Sequence, residues 1–438
     1  MAVVTLEATS AFSWNWTIWD RPSFFGGFGD IYEPSQTDDS VFSSGTANPL
    51  TLRYFGSDLS EDPGGTDRDP FPDSGTLTGY DHEDANGLVL LTVRGLDVTL
   101  DELSIETPEQ RMTTMWRWGS GDDTVDYTAV AADSSFSAPR RADGFWGDDM
   151  ILLGYDVDGY GGPGNDTITG GDGRTKIFGG PGDDLIEGGA GPDILLGGAG
   201  DDTIDGGSGT DRLVWYHLRD TDVRETVTSL RDGYADSSRG RDTITNIEDV
   251  TGSVWNDTII GNDGDNVLKG QRGDDFIEAL GGDDTISAGG GNDTIWGGAG
   301  NDVVFGDNSA SVTFIGGPGA DRYESRVVGG ADTFIYQSLD DSGTNLLEAD
   351  RIIRFSRSDD RIDVSAIDAD PTTPGDQAFV IVEAFTNTPG ELVLDEKMND
   401  GRLYQRALFD GDGDGAHDMA IFTLSLGAFD TPEISFIL

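Results

Sequence analysis

Between residues 161 and 214 the chain repeats itself every nine residues: GGPGNDTIT, GGDGRTKIF, GGPGDDLIE, GGAGPDILL, GGAGDDTID, GGSGTDRLV. A second block at 252–305 does the same: GSVWNDTII, GNDGDNVLK, GQRGDDFIE, ALGGDDTIS, AGGGNDTIW, GGAGNDVVF. Position eight is Ile, Leu or Val in every copy, and position six is Asp except at Thr175 and Asn266. A period this strict excludes a flexible glycine linker and points to a solenoid. Glycines such as Gly162, Gly164, Gly180, Gly182, Gly198, Gly200, Gly298 and Gly300 permit positive φ and close approach of the backbone to a ligand. Positions seven to nine form a minimal strand whose middle side chain points inward. Two units then make one coil of turn, strand, turn and strand.

Residues eighteen apart therefore stack. Asp166, Asp184 and Asp202 fall in one column, and Asp193 and Asp211 in the opposite one. The second block supplies Asp257, Asp275, Asp284, Asp293 and Asp302 at the same position. Degenerate copies at 118–126, 144–152 and 316–324 add Asp123, Asp149 and Asp321. Stacked carboxylates repel unless a hard cation lies between the turns, where carboxylate and carbonyl oxygens can supply the roughly six to eight ligands that calcium takes. Magnesium demands a tighter octahedron and fits less well. The expected cofactor is Ca2+, at multiple sites, with the position-six Asp as charged ligand and the glycine backbone as the source of carbonyls. A glycine solenoid without metal would leave the carboxylate ladder without a counter-charge. The neutral Thr175 and Asn266, each in the second copy of its block, are expected to weaken the sites they share with Asp193 and Asp284.

Composition agrees. The 438 residues carry 82 acidic against 27 basic side chains, a formal net charge of -55, so self-repulsion must be relieved by solvent, salt or bound cations. Nucleic acid and anionic membrane surfaces are excluded as partners on that charge. There is no cysteine, which removes disulfides, thiol catalysis and cysteine-ligated zinc. The segment MAVVTLEATSAFSWNW has no basic n-region and no clean apolar core, and no run of about 18 apolar residues occurs, so no transmembrane segment is expected.

The nonapeptides resemble the G-G-x-G-x-D-x-U-x pattern of RTX (repeats-in-toxin) proteins, a resemblance that implies a parallel β-roll with calcium between its turns. The tail carries another. GGADTFIYQSLDDSG at 329–343, ADRIIRFSRSDDRIDVSAIDA at 349–369, GDQAFV at 375–380 and ISFIL at 434–438 resemble the C-terminal domain of serralysin-type metalloproteases, with Arg354 and Val364 departing from that family's pattern. That resemblance implies a cap on the roll and an uncleaved signal for the type I secretion apparatus, hence a secreted, extracellular protein. The serralysin protease itself is lacking: H-E-x-x-H is absent, and the three histidines sit in DHEDA (His82), WYHLR (His217) and GAHDM (His417). DGDGDGAHD at 410–418 opens like an EF-hand, but Ile421 stands where a bidentate Glu belongs, which favours a hairpin turn over a calcium site.

The expected fold is all-β: a parallel β-roll with a small N-terminal β-module and a C-terminal β cap. The domains read as 1–115, a β-module of unassigned role; 116–332, the roll, with a lateral excursion at 215–251; and 333–438, the serralysin-like cap. Alternation at 50–56 and 90–100 predicts strands, 57–75 reads as a loop, and Phe12, Trp14, Trp16 and Ile18 share a strand face better read as core than as a sugar platform. Two function classes follow. One is a non-enzymatic calcium-binding surface or binding protein, whose N-terminal module takes a glycan or cell-surface ligand. The other is an extracellular polysaccharide hydrolase or lyase with its centre in 1–115. A module this short with no recognisable catalytic constellation favours the first.

Overall fold

The computed structural model describes residues 3–6, 41–44, 51–60, 74–83, 89–99, 124–126, 140–215, 225–306, 311–325, 330–356, 358–371, 373, 376–399, 402–424 and 436–437. Among them there is no α-helix, only one 3-10 turn at Leu339–Asp341, and no helix long and apolar enough to cross a membrane. The chain divides into two compact units, Met1–Asp211 with Gly240–Asn246, and Arg212–Arg239 with Ile247–Leu438. Most of the described residues of each form a parallel β-roll, as the nine-residue period predicts.

In the first unit, Thr124–Asp126, Met150–Leu152, Thr167–Thr169, Leu185–Glu187 and Thr203–Asp205 stack as parallel strands, with Ile168 opposite Ile186 and Ile186 opposite Ile204. A second stack runs through Arg140–Asp143, Val157–Tyr160, Lys176–Pro181 and Ile194–Ala199, with Ile177 opposite Leu195. Position eight supplies most of the apolar side chains between the stacks: Ile151, Ile168, Ile177, Ile186, Leu195 and Ile204 are fully buried. The N-terminal strands form an antiparallel meander, Val41–Ser44, Thr51–Ser60, Ser74–Glu83 and Val89–Thr99. Val3–Leu6 pairs antiparallel with the last of these and parallel with Thr124–Asp126. The strands expected at 50–56 and 90–100 are thus present, although the first continues to Ser60 where a loop was expected. The aromatic row at 12–18 lies outside the described residues.

In the second unit one stack runs Thr226–Ser229, Asp257–Ile260, Phe276–Gly281, Asn292–Ala299, Ser311–Ile315, Thr333–Ile335, Arg361–Asp363 and Phe436–Ile437. The other runs Arg212–Val214, Asp249–Thr251, Val267–Arg272, Thr285–Gly290, Val303–Gly306, Arg322–Ser325, Asp350–Ile353 and Met419–Leu424. Parallel pairing then gives way to antiparallel strands, Arg402–Asp410 on Met419–Leu424 and Glu391–Asn399 on Arg402–Asp410. The core changes with it, from Ile259, Ile277 and Ile295 to Tyr323, Phe334, Phe379 and Phe409. The segment 225–251 holds a hairpin, Thr226–Ser229 with Tyr234–Ser237. It also holds strands that join a roll: Gly240–Thr245 lies on Thr203–Asp205 in the first unit, and Asp249–Thr251 on Arg212–Val214 in the second.

Candidate metal centre

Side chains alternate along an extended chain, so position six points the same way as position eight, inward. That is why the Asp is buried: Asp166, Asp184, Asp193, Asp202, Asp284 and Asp302 are almost completely enclosed. One oxygen of each is used by the protein. Asp184 Oδ1 accepts the N–H of Asp166 at 2.8 Å, and Asp202 Oδ1 that of Asp184 at 2.8 Å. In the opposite column Asp193 Oδ1 accepts from Thr175 at 2.7 Å and Asp211 Oδ1 from Asp193 at 2.8 Å. The second unit repeats the scheme through Asp275, Asp284, Asp302 and Asp321. Asp166 and Asp293 accept in the same way from Asp149 and Asp275.

The other oxygen is the informative one. Oδ2 of Asp166, Asp184, Asp193, Asp202, Asp275, Asp284, Asp302 and Asp321 is buried with no hydrogen-bond donor. A buried acceptor left unmade costs about 1–3 kcal/mol, more when charged. These oxygens share their space with backbone carbonyls. A Cβ on Gly161 would lie 2.2 Å from Asp166 Oδ2 and 2.6 Å from Gly179 O, and one on Gly179 would lie 2.2 Å from Asp184 Oδ2 and 2.6 Å from Gly197 O. Glycine at position one thus keeps open a cradle lined by a carboxylate and the next coil's carbonyl. Ala279 and Ala288 show that a methyl is tolerated in the second block. The eight predicted glycines at positions two and four all have positive φ. At Gly180 and Gly182 a side chain would strike Gly162 O at 2.2 Å and Gly164 O at 1.9 Å.

Burial without a donor pushes the carboxyls up. Asp184 and Asp275 rise to about 8, Asp193 and Asp284 to about 7, and Asp166, Asp202 and Asp302 to about 6. Desolvation is the largest cause in each, opposed by the backbone N–H; in most, neighbouring carboxylates add to the rise. Hard, anionic and carbonyl oxygens, buried and facing one another, suit a hard divalent cation with oxygen ligands; this is the donor set of calcium.

Three of the expected positions stand apart. Asp257 has both oxygens occupied: Oδ1 accepts from Thr226 Oγ1 at 2.8 Å and Ser253 Oγ at 2.9 Å, and Oδ2 from Ser253 N at 2.6 Å. Thr175 gives its hydroxyl to Asp193 Oδ1 at 2.9 Å. Asn266 gives its amide to Glu248 O at 2.7 Å and accepts from Asn262 N at 2.9 Å. Asp123 lies outside the described residues.

Two ladder features escaped the sequence reading. Position five forms a ladder of its own running the other way: Asn165 Oδ1 accepts from Asp183 N and Asp183 Oδ1 from Asp201 N, both at 2.8 Å. The recurrent Asn or Asp before the position-six Asp was its signal. The columns also outlast the glycines. Asp202 N donates to Asp242 Oδ1, Asp321 N to Asp350 Oδ1, and Asp332 N to Asp360 Oδ1. Their common mark is Asp followed two residues later by Ile or Phe, without the G-G-x-G turn.

The loop 410–418 joins two antiparallel strands. Carboxylate oxygens of Asp410, Asp412 and Asp418 lie within 4.8 Å of one another. Asp410 accepts from Gly413 N and Gly415 N, Asp418 from Gly411 N, and Ile421 is buried in the following strand. His417 Nε2 lies 2.7 Å from Thr344 O. The side chain of His82 and all of His217 lie outside the described residues.

Four stretches, 160–180, 178–213, 252–286 and 278–312, match the family model described as RTX calcium-binding nonapeptide repeat (4 copies). No curated protein matches the chain. Similar solved structures include the extracellular lipase LipA from Serratia marcescens, at 17% identity over 64% of this chain and 38% of that one, with a TM-score of 0.21. Another is the AlgE6R3 subunit of the Azotobacter vinelandii mannuronan C5-epimerase, at 21% identity over 42% of this chain and 92% of that one, with a TM-score of 0.14. The chain thus carries RTX calcium-binding nonapeptide repeats wound into a parallel β-roll, and calcium is their cofactor.

Proposed function

We propose that this is an extracellular calcium-binding protein whose roll takes its fold as calcium fills the carboxylate columns. The observation that carries the reading is the row of buried Asp Oδ2 atoms without donors, with a backbone carbonyl of the next coil beside those of Asp166, Asp184, Asp193, Asp275 and Asp302. Asp166, Asp184, Asp193, Asp202, Asp275, Asp284, Asp302 and Asp321 would hold the metal through Oδ2, with carbonyls of the glycine turns completing the shell. Asp149, Asp211 and Asp293 stand in the same ladders. Asp257, both of whose oxygens accept protein hydrogen bonds, is assigned to a column end. When bound, calcium supplies the positive charge that the ladder lacks; the chain's own contribution is to hold the carboxylates in register through the N–H bonds from the preceding coil.

Binding to the folded state alone adds RT ln(1 + [Ca]/Kd) per site to stability, so scarce cytosolic calcium leaves the glycine-repeat coils loose and plentiful extracellular calcium winds them up. Extracellular calcium modules bind at about 10⁻⁴–10⁻³ M, between those two conditions. RTX repeat proteins are typically secreted, and passage through the type I apparatus on the signal in 333–438 fits a chain whose glycine-repeat coils wind up only outside. The roll then acts as scaffold and the N-terminal meander as the binding module for a glycan or cell-surface ligand. Circular dichroism of the full chain in EGTA and in millimolar calcium tests the switch. A gain of β-signal on adding calcium is expected, and an unchanged folded spectrum in chelator would overturn it.

A further inference from the structure

The columns of the second unit do not stop where the glycine repeats stop; what changes is the fate of the second oxygen. Val312 N donates to Asp332 Oδ1 at 2.9 Å and Asp332 N to Asp360 Oδ1 at 3.0 Å, while Asp321 N donates to Asp350 Oδ1 at 2.8 Å. These are the same ladder bonds as upstream. Asp332 Oδ2, however, takes a 2.7 Å hydrogen bond from the Tyr323 hydroxyl, and Asp360 Oδ2 takes one from Ser356 N at 2.6 Å. Asp350 is hydrogen-bonded by the Tyr336 hydroxyl. None of these three carboxylates keeps an orphaned oxygen, whereas Asp275, Asp284, Asp302 and Asp321 all do.

The tyrosines are placed for this. Tyr323 occupies position eight of GGPGADRYE, where the copies upstream carry Ile, Leu or Val, so its ring enters the core and its hydroxyl reaches the column. Its ring meets Phe334 edge-on at 4.8 Å between centroids. The neighbouring strand makes room: a Cβ on Gly306 would lie 2.2 Å from the Tyr323 hydroxyl. Tyr336 is likewise buried.

We infer that the Tyr323 and Tyr336 hydroxyls and the Ser356 N–H replace calcium at the C-terminal end of both columns, so that the coils from Thr333 to Leu424 keep their fold when calcium is withdrawn. The boundary between metal-held and protein-held coils then falls between Asp321 and Asp332. This rests on the reading of the upstream carboxylates as calcium ligands.

Hydrogen exchange read by mass spectrometry, on the full chain in calcium and in EGTA, tests it. In EGTA the amides of Leu185–Glu187 and Phe276–Gly281 are expected to exchange at least ~100-fold faster than in calcium, while those of Asp350–Ile353, Arg361–Asp363 and Met419–Leu424 stay protected. Loss of protection in the cap together with the roll overturns this inference and leaves the calcium switch standing. A roll that stays protected in EGTA overturns both. Tyr323→Phe strips Asp332 of its donor and should make Thr333–Ile335 and Arg361–Asp363 exchange faster in EGTA; unchanged protection overturns the hydroxyl's role. Asp332→Asn keeps one acceptor oxygen for Val312 N and turns its amide N–H toward the Tyr323 hydroxyl, which can accept, so those strands should stay protected in EGTA. Their loss in that variant also counts against the inference.

Discussion

The two columns of the first unit, built from interleaved copies of one repeat, are not equivalent. In the column of Asp166, Asp184 and Asp202, position five is Asn165, Asp183 and Asp201, and these side chains form a second ladder of hydrogen bonds. In the opposite column, position five is Arg174, Pro192 and Thr210. That column begins at neutral Thr175, and its first carboxylate, Asp193, feels the charge of Arg174, which favours the ionised form. The second unit has Asn or Asp at position five in both columns, Asn256, Asp274 and Asn292 on one side and Asp265, Asp283 and Asn301 on the other. One side of the first roll is therefore held by two ladders of hydrogen bonds. The other carries part of its counter-charge in its own sequence.

The largest effect that separates the columns should come from their interior carboxylates. Asp184→Ala removes both the acceptor for Asp166 N and a metal oxygen, and should cost about 3 kcal/mol of stability in calcium with a lower calcium stoichiometry by calorimetry. Asp184→Asn keeps the acceptor and loses the charge, so it should cost less while lowering stoichiometry equally. Equal stoichiometry for wild type and Asp184→Asn would break the assignment.

A pH series is expected to act next most strongly. In the metal-free fold Asp184 rises to about 8 and Asp193 to about 7, both from an ordinary 3.8. The fold then binds more protons than the unfolded chain across that window, so without calcium its stability is highest near pH 4 and falls as pH rises toward 8. Chelated protein should keep more β-signal at pH 5 than at pH 8. With calcium present the order reverses, because each ion displaces protons. The calcium midpoint should fall as pH is raised from 6 to 8, with proton release measurable in buffers of different ionisation enthalpy.

Thr175→Asp makes the weaker column resemble the stronger. It should raise calcium affinity a few-fold or add to the stoichiometry, and destabilise the chelated chain by burying one more carboxylate beside Asp193. No change by calorimetry would show that Arg174 and Thr175 do not set the column's edge. The smallest expected effect is that of Asp183→Ala, about 0.5–1 kcal/mol by thermal melting, since Asp201 N loses its acceptor at an exposed site where water can replace it. The same stability for Asp183→Ala and wild type would mean that the outer ladder contributes nothing.

Most of the roll was legible because one local rule generates it. With Asp at position six and Ile or Leu at position eight, alternation alone sends both inward, and a nine-residue period places like residues eighteen apart. The column of Asp166, Asp184 and Asp202 follows from the period alone. The hairpin turn at 410–418 was legible too, in the loop DGDGDGAHD whose twelfth position, Ile421, proved to be strand core. Less was legible where insertions change sequence distance while leaving axial spacing alone. Asp242 lies forty residues beyond Asp202 and Asp360 twenty-eight beyond Asp332, yet each is the next rung.

The sequence by itself determined the period, the inward carboxylates and the need for a cation, because those follow from backbone alternation and from charge. Only the tertiary structure decided which oxygen of each carboxylate is left over. That depends on which donor the neighbouring coil presents: nothing at Asp184, a serine N–H at Asp257, a tyrosine hydroxyl at Asp332.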